Sequence, residues 1–468
     1  MRDFLPAVLK TILAESPELR EAYLVGGCVR DWLLGVPIAD FDIEVYGLSY
    51  ETLASTLSRW GRADLVGRSF GVVKFLSGEG QWLDFSLPRR DSKIAPGHTG
   101  YTVEFDPGIT PEEAASRRDF TINALAYDPR RHTLLNFFDG EADLRNRVLR
   151  HTSHAFAEDP LRVLRGMQFV ARFDLAPAPE TVALCRQIRD SYRELAVERV
   201  WQEWVKWAGK SRVPSAGLQF LLATEWLGHF PEIQALVGVP QDPEWHPEGD
   251  VFTHTCHCLD ALVQLPEWQA ADMESRIVYS LAVLAHDFAK PFTTQTVVRD
   301  GQTRIISPGH EEAGGPLAES FLERINAPIA IRDRVVPLVV NHMAHLHPAS
   351  DRSVRRLARR LAPETVHSLC LVMTADHHGR PPLPKEMPVG VRSLLKTAGE
   401  LQVTLAAPKP ILLGRHLCEL GMAPGPPMGV LLQAAFEAQL EGEFTTLEGA
   451  HRWLAAKHGF EELRGEPH

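Results

Sequence analysis

The stretch LVGGCVRDWLLGVPIADFDIEVYG (residues 24–47) decides the fold of the N-terminal part of the chain. A β-rich run ends in a double glycine at 26–27, a helical pattern follows, and a second β-rich run covers residues 39–47. Alternation along a strand sends Asp40 and Asp42 to one face and their apolar neighbours to the other. Two carboxylates on one face suit a pair of divalent cations, although a solvent-facing pair of acids is the commoner reason for such a pattern.

A third acid and a phosphate-binding turn accompany this pair. Asp84 lies in QWLDFSL (residues 81–87), whose apolar residues predict a buried opposite face. Three acids from two strands form the usual two-metal arrangement for phosphoryl transfer. Upstream, Gly26 and Gly27 let the backbone approach a ligand at the start of a helix, and Arg30 adds a cation there. The pattern indicates metal-dependent chemistry on a phosphate.

Composition excludes several classes of protein. The 468 residues include 49 basic and 60 acidic side chains, a formal net charge of −11, which argues against a protein that coats nucleic acid with its whole surface. No stretch approaches the roughly 18 uncharged apolar residues of a membrane span, and the N-terminus lacks a signal-peptide pattern, so we expect a cytoplasmic protein with no membrane partner. The six cysteines form no CxxC pair, which disfavours a disulfide framework or a zinc ribbon.

The length suggests about three average domains. Strand and helix signals mix over residues 1–150, which predicts an α/β or α+β domain, whereas helical periodicity dominates after residue 155. Proline-rich segments at 380–388 and 423–429 mark a separable C-terminal section.

The glycine turn and the two aspartates match the signature GG-x-VRD followed by DxD. This part of the chain resembles the tRNA nucleotidyltransferase and bacterial poly(A) polymerase family, the class II branch of the polymerase-β-like superfamily. The resemblance implies an α+β fold: a head with a mixed sheet and helices, then an all-α neck and all-α C-terminal domains. It implies that Asp40, Asp42 and Asp84 are catalytic and that the first two bind Mg²⁺. The glycine turn and Arg30 would hold the nucleotide.

The RRD motif of that family follows in TPEEAASRRDFTINALAY (residues 110–127). We expect it on a helix that begins with Thr110 as N-cap, Pro111 at the first position and Glu113 closing a capping box. Arginine forks suit triphosphate oxygens, and an acid beside them can accept a hydrogen bond from a ribose hydroxyl. The resemblance therefore assigns nucleotide binding to Arg117, Arg118 and Asp119.

The segment AEDPLRVLRGMQF carries a further family motif, EDxxR. Asp159 before a proline can be a simple helix N-cap. However, Asp159 and Arg162 are three residues apart, share a helix face and can meet one planar ligand. In the family this motif is a protein template, because a carboxylate accepts from the exocyclic amine of cytosine or adenine but faces a carbonyl in uracil or guanine. Arg165 is implied as a further nucleotide contact, and ERVWQE (198–203) as a structural brace.

A set of histidines and aspartates follows on predicted helices: His254, the adjacent pair His286 and Asp287, His310, His342 and Asp376. The chain has 20 histidines, so chance groupings are easy, yet this order resembles the HD phosphohydrolase superfamily. The resemblance implies a divalent transition metal of open identity, bound by the first histidine, the His-Asp pair and the last aspartate. Such a metal lowers the pKa of a bound water. The resemblance also implies auxiliary roles: His310 and His342 hold a second ion or bind phosphate, and Lys290 steadies a phosphate oxygen.

Arginines cluster in DRSVRRLARRL (residues 351–361), on one face of a predicted helix. We predict that Arg355, Arg356 and Arg359 contact RNA phosphates. The alternative is that they pair with the excess acids elsewhere in the chain. Aromatic residues are not interleaved with them, so a folded tRNA fits better than a stacked single strand.

Residues and resemblance together predict a template-independent, Mg²⁺-dependent enzyme that adds CCA to tRNA 3′ ends from CTP and ATP, as a monomer or homodimer. A phosphohydrolase activity on RNA ends or 2′-phosphates would accompany it. The expected domains are a head (1–150), a helical neck that binds RNA (151–235), an HD domain (236–380) and a helical tail (381–468). A poly(A) polymerase or a CC- or A-adding enzyme shares these motifs, and residues 92–108 are where such activities can diverge. An HD phosphohydrolase whose head only grips RNA is the alternative from another class.

Overall fold

The computed structural model describes residues 4–38, 40–64, 71–77, 80, 82–93, 101–105 and 108–458. Two compact units divide the chain, Met1–Phe230 and Pro231–His468. Much of the predicted divergence segment, residues 94–100 and 106–107, lies outside the described residues. In the part of the chain that is described, we find no helix long and apolar enough to cross a membrane.

The first unit contains a mixed sheet. Its strands are β1 (Ala22–Val25), β2 (Phe41–Val45), β3 (Arg62–Asp64), β4 (Val72–Leu76), β5 (Trp82–Ser86), β6 (Arg89–Lys93), β7 (Tyr101–Phe105), β8 (Ala126–Asp128), β9 (Thr133–Leu135), β10 (Val148–Leu149) and β11 (Ala176–Pro177). Among the described residues, one sheet has the order β3-β4-β5-β2-β1-β8-β9, and β6 pairs with β7 and β10 with β11. Within the large sheet β2 and β5 run parallel and their other neighbours antiparallel, as the α+β prediction requires.

Along the central strands β2 and β5, buried apolar side chains alternate with acidic side chains. Phe41, Ile43 and Val45 of β2 are buried, whereas Asp42 between them is not. Leu83 and Phe85 of β5 are likewise buried on either side of Asp84. Because side chains alternate with period two, the apolar core and the acids occupy opposite faces of the same strands. The predicted alternation is confirmed for Asp42 and Asp84, whereas Asp40, predicted on the same strand, lies just before β2.

Helices of the first unit cover the sheet and continue beyond it. They are α1 (Ala7–Glu15), α2 (Gly27–Leu34), α3 (Tyr50–Ser58), α4 (Pro111–Ser116), α5 (Gly140–Arg145), α6 (Leu161–Phe173), α7 (Pro179–Gln187), α8 (Val197–Lys210) and α9 (Pro214–Ala223). Trp204, Trp207 and Phe220, from α8 and α9, are fully buried. A Cβ built on Gly166 of α6 would lie 2.9 Å from the Phe220 ring, so glycine is needed for this close helix contact.

One expectation about the first unit is corrected. Thr110 and Glu113 do form a capping box at the start of α4. The helix ends at Ser116, however, so Arg117, Arg118 and Asp119 lie in the turn after it rather than on it. The next residue, Phe120, is fully buried and forms a β-bridge with His151. Helical continuation would carry that ring away from its bridge, and this long-range pairing ends the helix.

The second unit is mainly helical. Its elements are α10 (Pro231–Gln234), α11 (Val251–Leu262), α12 (Pro266–Ala270), α13 (Met273–Ala285), α14 (Lys290–Thr293), β12 (Gln295–Arg299), β13 (Gln302–Ile306), α15 (His310–Arg324), α16 (Ile329–Asn341), α17 (Asp351–Leu361), α18 (Val366–His378), α19 (Val389–Glu400), α20 (Gly414–Glu419), α21 (Pro426–Glu441) and α22 (Leu447–His458). Its core lies between α11, α13 and α18, where Leu259, Leu281 and Val372 are fully buried. A separate apolar cluster joins α20, α21 and α22.

The hairpin of β12 and β13 corrects the expectation that this region is entirely helical. Asp300 and Gly301, at its tip, both have positive φ angles, 51° and 74°. Two left-handed residues make the tight turn that matches strand twist, and Asp-Gly is a favoured pair for it. The Asp-Gly pair and its β-rich flanks are visible in QTVVRDGQTRII (residues 295–306), but the surrounding segments have helical periodicity, and the hairpin was not predicted.

Candidate functional site

Two aspartates come together at the centre of the sheet. The parallel register of β2 and β5 places Asp42 directly beside Asp84. Partial removal from water, followed by the negative charge of Asp84, raises the pKa of the Asp42 carboxyl. Lys74, opposite Asp84 on β4, lies 3.4 Å from its carboxylate. Asp40 precedes β2 by one residue and is exposed.

Sequence reasoning missed a third acid on this face. Glu44 follows Asp42 by two residues, so strand alternation already predicted the same side. Asp42, Glu44 and Asp84 line one cavity of about 300 Å³ together with Arg118. Oxygen ligands of this kind are those that Mg²⁺ prefers, and a cation would offset both the burial and the repulsion from Asp84 that raise the pKa of Asp42. The donor set fits the expected ion.

The glycine turn lies beside the acids. Gly26 adopts a φ of +69°, and a Cβ there would be 2.9 Å from Nη1 of Arg118. Gly27 begins α2, whose first amides have no partner within the helix and are available to a ligand at its N-terminus. A side chain at position 26 would therefore strain the backbone and displace the arginine. Only glycine leaves room for a ligand that approaches both the backbone of this turn and the Arg118 guanidinium.

A buried hydrogen-bond network connects this turn to α6. Asp119 accepts hydrogen bonds from the Phe120 amide (2.8 Å), Asn123 Nδ2 (2.9 Å) and Arg165 Nε (2.6 Å). Asn123 Oδ1 in turn accepts from Arg30 Nη1 at 2.6 Å. Burial raises the pKa of Asp119, but Arg165 and these hydrogen bonds outweigh it and hold the pKa below its usual range. Asp119 thus positions Arg165 and Asn123, and both of its oxygens are already used.

Of the predicted template residues, Asp159 lies two residues before α6 and Arg162 lies in its first turn, and they do not bond to each other. Asp159 Oδ1 accepts from the Leu161 amide at 3.1 Å, as a helix cap would, while Oδ2 accepts from Arg199 Nη2 at 2.7 Å. Arg162 donates to the main-chain oxygens of Ala155 and Arg117, at 2.7 and 2.6 Å. Arg199 therefore braces the carboxylate, and both template side chains are held in place before any ligand is bound.

One cavity of about 460 Å³ brings most of the predicted nucleotide-binding residues together. It is lined by Gly26, Gly27, Arg30, Asp42, Arg118, Asp119, Asp159, Arg162 and Arg165, and by Asn123, Phe169 and Arg199, which sequence reasoning had not placed there. Arg30 is nearly buried in its wall, with its guanidinium 4.5 Å from the Phe173 ring centre. Asp84 lines the adjoining acid cavity, and among the described residues Asp40 and Arg117 line neither.

In the second unit, four histidine rings have the same orientation: Nδ1 contacts an oxygen of the protein, and Nε2 faces the centre of the cluster. Nδ1 of His286, His310 and His342 lies 2.7 Å from a main-chain oxygen of Val283, Ser307 and Val339 respectively. Nδ1 of His254 lies 2.7 Å from Glu248 Oε1. Carbonyl and carboxylate oxygens only accept, so each Nδ1 carries the proton and a neutral ring presents Nε2 as a lone pair.

Two of these Nε2 atoms face carboxylate oxygens. His254 Nε2 lies 3.1 Å from Asp376 Oδ1, and His286 Nε2 lies 3.2 Å from Asp287 Oδ2. Within the described chain, His286 Nε2 and Asp287 Oδ1 are buried without a hydrogen-bond partner. Where both groups are acceptors, such a buried contact needs a cation between them, either a proton or a metal ion. Imidazole and carboxylate donors suit a divalent transition metal, so the residues fit the predicted group.

Asp287 also faces the auxiliary residues. His310 Nε2 lies 3.4 Å from Asp287 Oδ1 and 3.2 Å from His342 Nε2, and Lys290 Nζ lies 2.8 Å from Asp287 Oδ2. Burial, followed by the neighbouring rings of His286 and His310, lowers the pKa of His342 to about 3, so that ring is neutral. Asp287, His310 and His342 form a second donor group beside the first.

A cavity of about 730 Å³ opens onto this cluster. Its wall includes Asp287, Lys290, His310, His342 and Asp376, and residues of the β12–β13 hairpin. Arg299, Arg380 and His345, which also line it, had not been predicted. No short motif marks them, because the hairpin, the turn after α16 and the segment after α18 reach the cavity only through the fold.

The predicted RNA-binding arginines of α17 already have acidic neighbours. Arg356 and Arg359 pair with Glu437 of α21, and Arg356 also pairs with Glu441. Arg355 lies 3.5 Å from Asp351. These ion pairs are what the alternative interpretation predicts, in which the arginines pair with acids elsewhere in the chain. Phosphate binding by this face of α17 stays a prediction.

Comparisons agree with these observations. The model of the poly A polymerase head domain matches residues 22–150, and together with the acid cluster it defines a nucleotidyltransferase head. A multifunctional CCA protein of Mannheimia succiniciproducens is 36% identical over 373 residues, which cover 77% of this chain and 84% of the relative. The chain belongs to the family of multifunctional CCA proteins and is a tRNA nucleotidyltransferase.

Solved structures show the same fold. A Bacillus stearothermophilus CCA-adding enzyme in complex with CTP is similar over 97% of this chain and 98% of its own, with a TM-score of 0.62 and 20% identity. A Thermotoga maritima CCA-adding enzyme complexed with tRNA is similar over 96% of this chain and 98% of its own, with a TM-score of 0.57 and 18% identity.

Proposed function

We propose that this chain adds C, C and A in turn to the 3′ end of tRNA, using CTP and ATP. The observation that carries the proposal is the 460 Å³ cavity, which is lined by the glycine turn, by Asp42, our proposed catalytic aspartate, and by Asp159 and Arg162, our proposed base-selecting pair. Family membership supports it, since CCA addition is what the relatives are named for.

The residues divide the work between phosphate and base. When bound, Mg²⁺ would supply electrostatic stabilisation of the phosphates and activation of the attacking hydroxyl. Asp42 and Asp84 would hold the cations, with Asp40 nearby, while the amides after Gly26 and the Arg118 guanidinium bind triphosphate oxygens. Asp159 accepts from the exocyclic amine of the incoming base and Arg162 donates to its ring acceptors. The tRNA 3′-hydroxyl then attacks the α-phosphate, and pyrophosphate leaves.

The test uses tRNA transcripts that lack CCA, lack only the final A, or are complete. Each is incubated with the protein, Mg²⁺ and one labelled nucleotide at a time. Addition of C, C and A with no further growth supports the proposal. Unlimited A addition would instead indicate a poly(A) polymerase, and arrest after CC or addition of A alone a partial enzyme. Asp42→Ala should abolish every addition, whereas Glu15→Gln, which alters an exposed acid of the same unit, should not.

We further propose a metal-dependent phosphohydrolase centre in the second unit, acting on 2′,3′-cyclic or terminal phosphates of RNA. Its support is the convergence of four Nε2 atoms on Asp287 and Asp376 beside a cavity large enough for a nucleotide. When bound, a divalent transition metal would supply a hydroxide near neutral pH. Lys290, with His310 and His342, would hold the phosphate oxygens, and the His-Asp cluster would hold the ion.

The test of this second centre is hydrolysis of RNA ending in a 2′,3′-cyclic phosphate, with Ni²⁺, Co²⁺, Zn²⁺ or Mg²⁺ added to stripped protein. Asp287→Ala should abolish hydrolysis but spare CTP incorporation, and Asp42→Ala should do the reverse. Loss of both activities in either variant would contradict two separate centres.

We propose that the chain is divided into a head (1–150), a neck (151–235), a phosphohydrolase domain (236–380) and a tail (381–468). We also propose that the protein is a monomer or a homodimer.

A further inference from the structure

A cysteine lies inside the histidine cluster. Cys258 follows His254 by four residues on α11, so both side chains share one helix face. Cys258 is fully buried, and its Sγ lies 3.3 Å from His254 Nε2. The same sulfur lies 3.6 Å from the main-chain oxygen of Asp376. The thiol is therefore adjacent to two of the groups assigned above to the metal.

Geometry groups this sulfur with the ligands rather than with the core. The potential ligand atoms of His254, Cys258, His286 and Asp376 all lie within 4.8 Å of one another. An independent observation indicates that something binds between them: His286 is 1% exposed, and within the described chain its Nε2 has no hydrogen-bond partner. Two imidazoles, one carboxylate and one sulfur are donors of the types that a divalent transition metal takes, and an ion that expands to five-coordination keeps a position for water beside them.

We propose that Cys258 binds this ion through its thiolate, beside His254, His286 and Asp376. The inference rests on the phosphohydrolase proposal, because it concerns the same centre. On binding, the sulfur–metal bond forms and the thiol proton passes to solvent. A thiolate is a soft ligand, so the centre selects Zn²⁺, Co²⁺ or Ni²⁺ over Mg²⁺ and Ca²⁺.

The fold fixes the sulfur in this position. Gly379, just after α18, packs directly on Cys258, and a Cβ built on Gly379 would lie 2.7 Å from the Cys258 amide nitrogen. The Asp376 ligand lies one turn before this contact, so the two helices hold carboxylate and sulfur at a set separation. Cys256, two residues from Cys258, is also buried but is not part of the cluster, which makes it a matched control.

The experiment loads metal-stripped, full-length protein with Co²⁺ under reducing conditions and records its absorption spectrum. We expect visible d–d bands together with a near-ultraviolet sulfur-to-cobalt charge-transfer band. Cys258→Ser should lose the charge-transfer band and bind Co²⁺ about tenfold or more weakly, since even outer groups of metal sites have effects of that size. Cys256→Ser should retain both the band and the affinity.

The outcomes separate this inference from the proposal on which it rests. Visible bands without charge transfer in the wild-type protein would leave the metal centre standing and overturn the thiolate ligand. Failure of the wild-type protein to bind Co²⁺ at all would overturn both. Should Cys258→Ser not fold, X-ray absorption of the Zn²⁺-loaded wild-type protein decides, because a thiolate ligand requires a Zn–S distance of about 2.3 Å. A shell of nitrogen and oxygen alone would refute the proposal.

Discussion

Substitution of Asp119 by Asn is the most quantitative test of the first unit. The change keeps the shape of the side chain, and its oxygen can still accept from the Phe120 amide and Asn123. Its amide nitrogen, however, would then face Arg165 Nε across the present 2.6 Å contact, donor against donor. Breaking a buried ion pair costs about 3–5 kcal/mol. We take about 3 kcal/mol, because the Arg165 side chain is 33% exposed and water can solvate it in part.

A loss of about 3 kcal/mol should lower the melting temperature of a unit of this size by roughly 6–12 °C. Urea unfolding of the full-length protein, followed by tryptophan fluorescence, measures the free energy of unfolding. Glu112→Gln removes a comparable negative charge from an exposed position of the neighbouring helix, and we expect it to change that energy by less than about 0.5 kcal/mol.

The pH dependence has a defined sign. The pKa of Asp119 is lowered from its usual 3.8, so folding favours the ionised carboxyl. Its stabilisation is fully present above that value and is lost as pH falls through the lower pKa of the folded state. The difference between wild-type and Asp119→Asn protein should therefore stay constant between pH 8 and pH 5. A difference that vanishes over this range, or one no larger than that of the control, would refute the buried-pair argument.

Three further substitutions test other contacts. Arg199→Gln removes the 2.7 Å bond to the Asp159 carboxylate and should lower kcat/KM for CTP and ATP about tenfold. The effect is of this size because the pair is about one-third exposed, and a hydrogen bond to a charged group then contributes near the lower end of about 1.5–3 kcal/mol. Single-nucleotide incorporation measures the loss, and Arg193→Gln, at an exposed position, is the control. Gly379→Ala should destabilise the second unit by about 2 kcal/mol or more in urea unfolding, whereas Gly429→Ala, in an open helical position, should stabilise it by about 0.5–1 kcal/mol. Arg359→Gln should reduce the salt slope of tRNA binding by about 0.9 if this arginine contacts a phosphate, and an unchanged slope would assign it to packing on α21 alone.

Local patterns predicted what depends on neighbours in sequence. The faces of β2 and β5, the capping box at Thr110 and the helical run after Asp159 all follow from spacing of two to four residues, and the structure confirms them. Glu44 belonged to the same pattern and was overlooked, although alternation from Asp42 placed it on the acid face.

Contacts between distant residues account for what the sequence could not predict. The family motif predicted a structural brace at 198–203, but Asp159 and Arg199 are 40 residues apart in sequence, so no local pattern showed that the brace contacts the Asp159 carboxylate. The helix before the RRD motif stops because Phe120 pairs with His151, which periodicity within residues 110–127 cannot reveal. In the second unit, histidine order predicted the cluster, but only the fold shows that each Nδ1 is already bonded and that a cysteine lies among the rings.

The β12–β13 hairpin has a consequence for how the large cavity opens. In the described chain this ribbon pairs with no other strand, and a two-stranded ribbon alone is only marginally stable in water. It is held at one end by Asp242, which accepts from the Ile305 amide and pairs with Arg304. The histidine-bearing helices, in contrast, have fully buried neighbours. Amide exchange should therefore be fastest in the ribbon, and local opening there would set how large a molecule can enter the cavity while the histidines and aspartates behind it keep their positions.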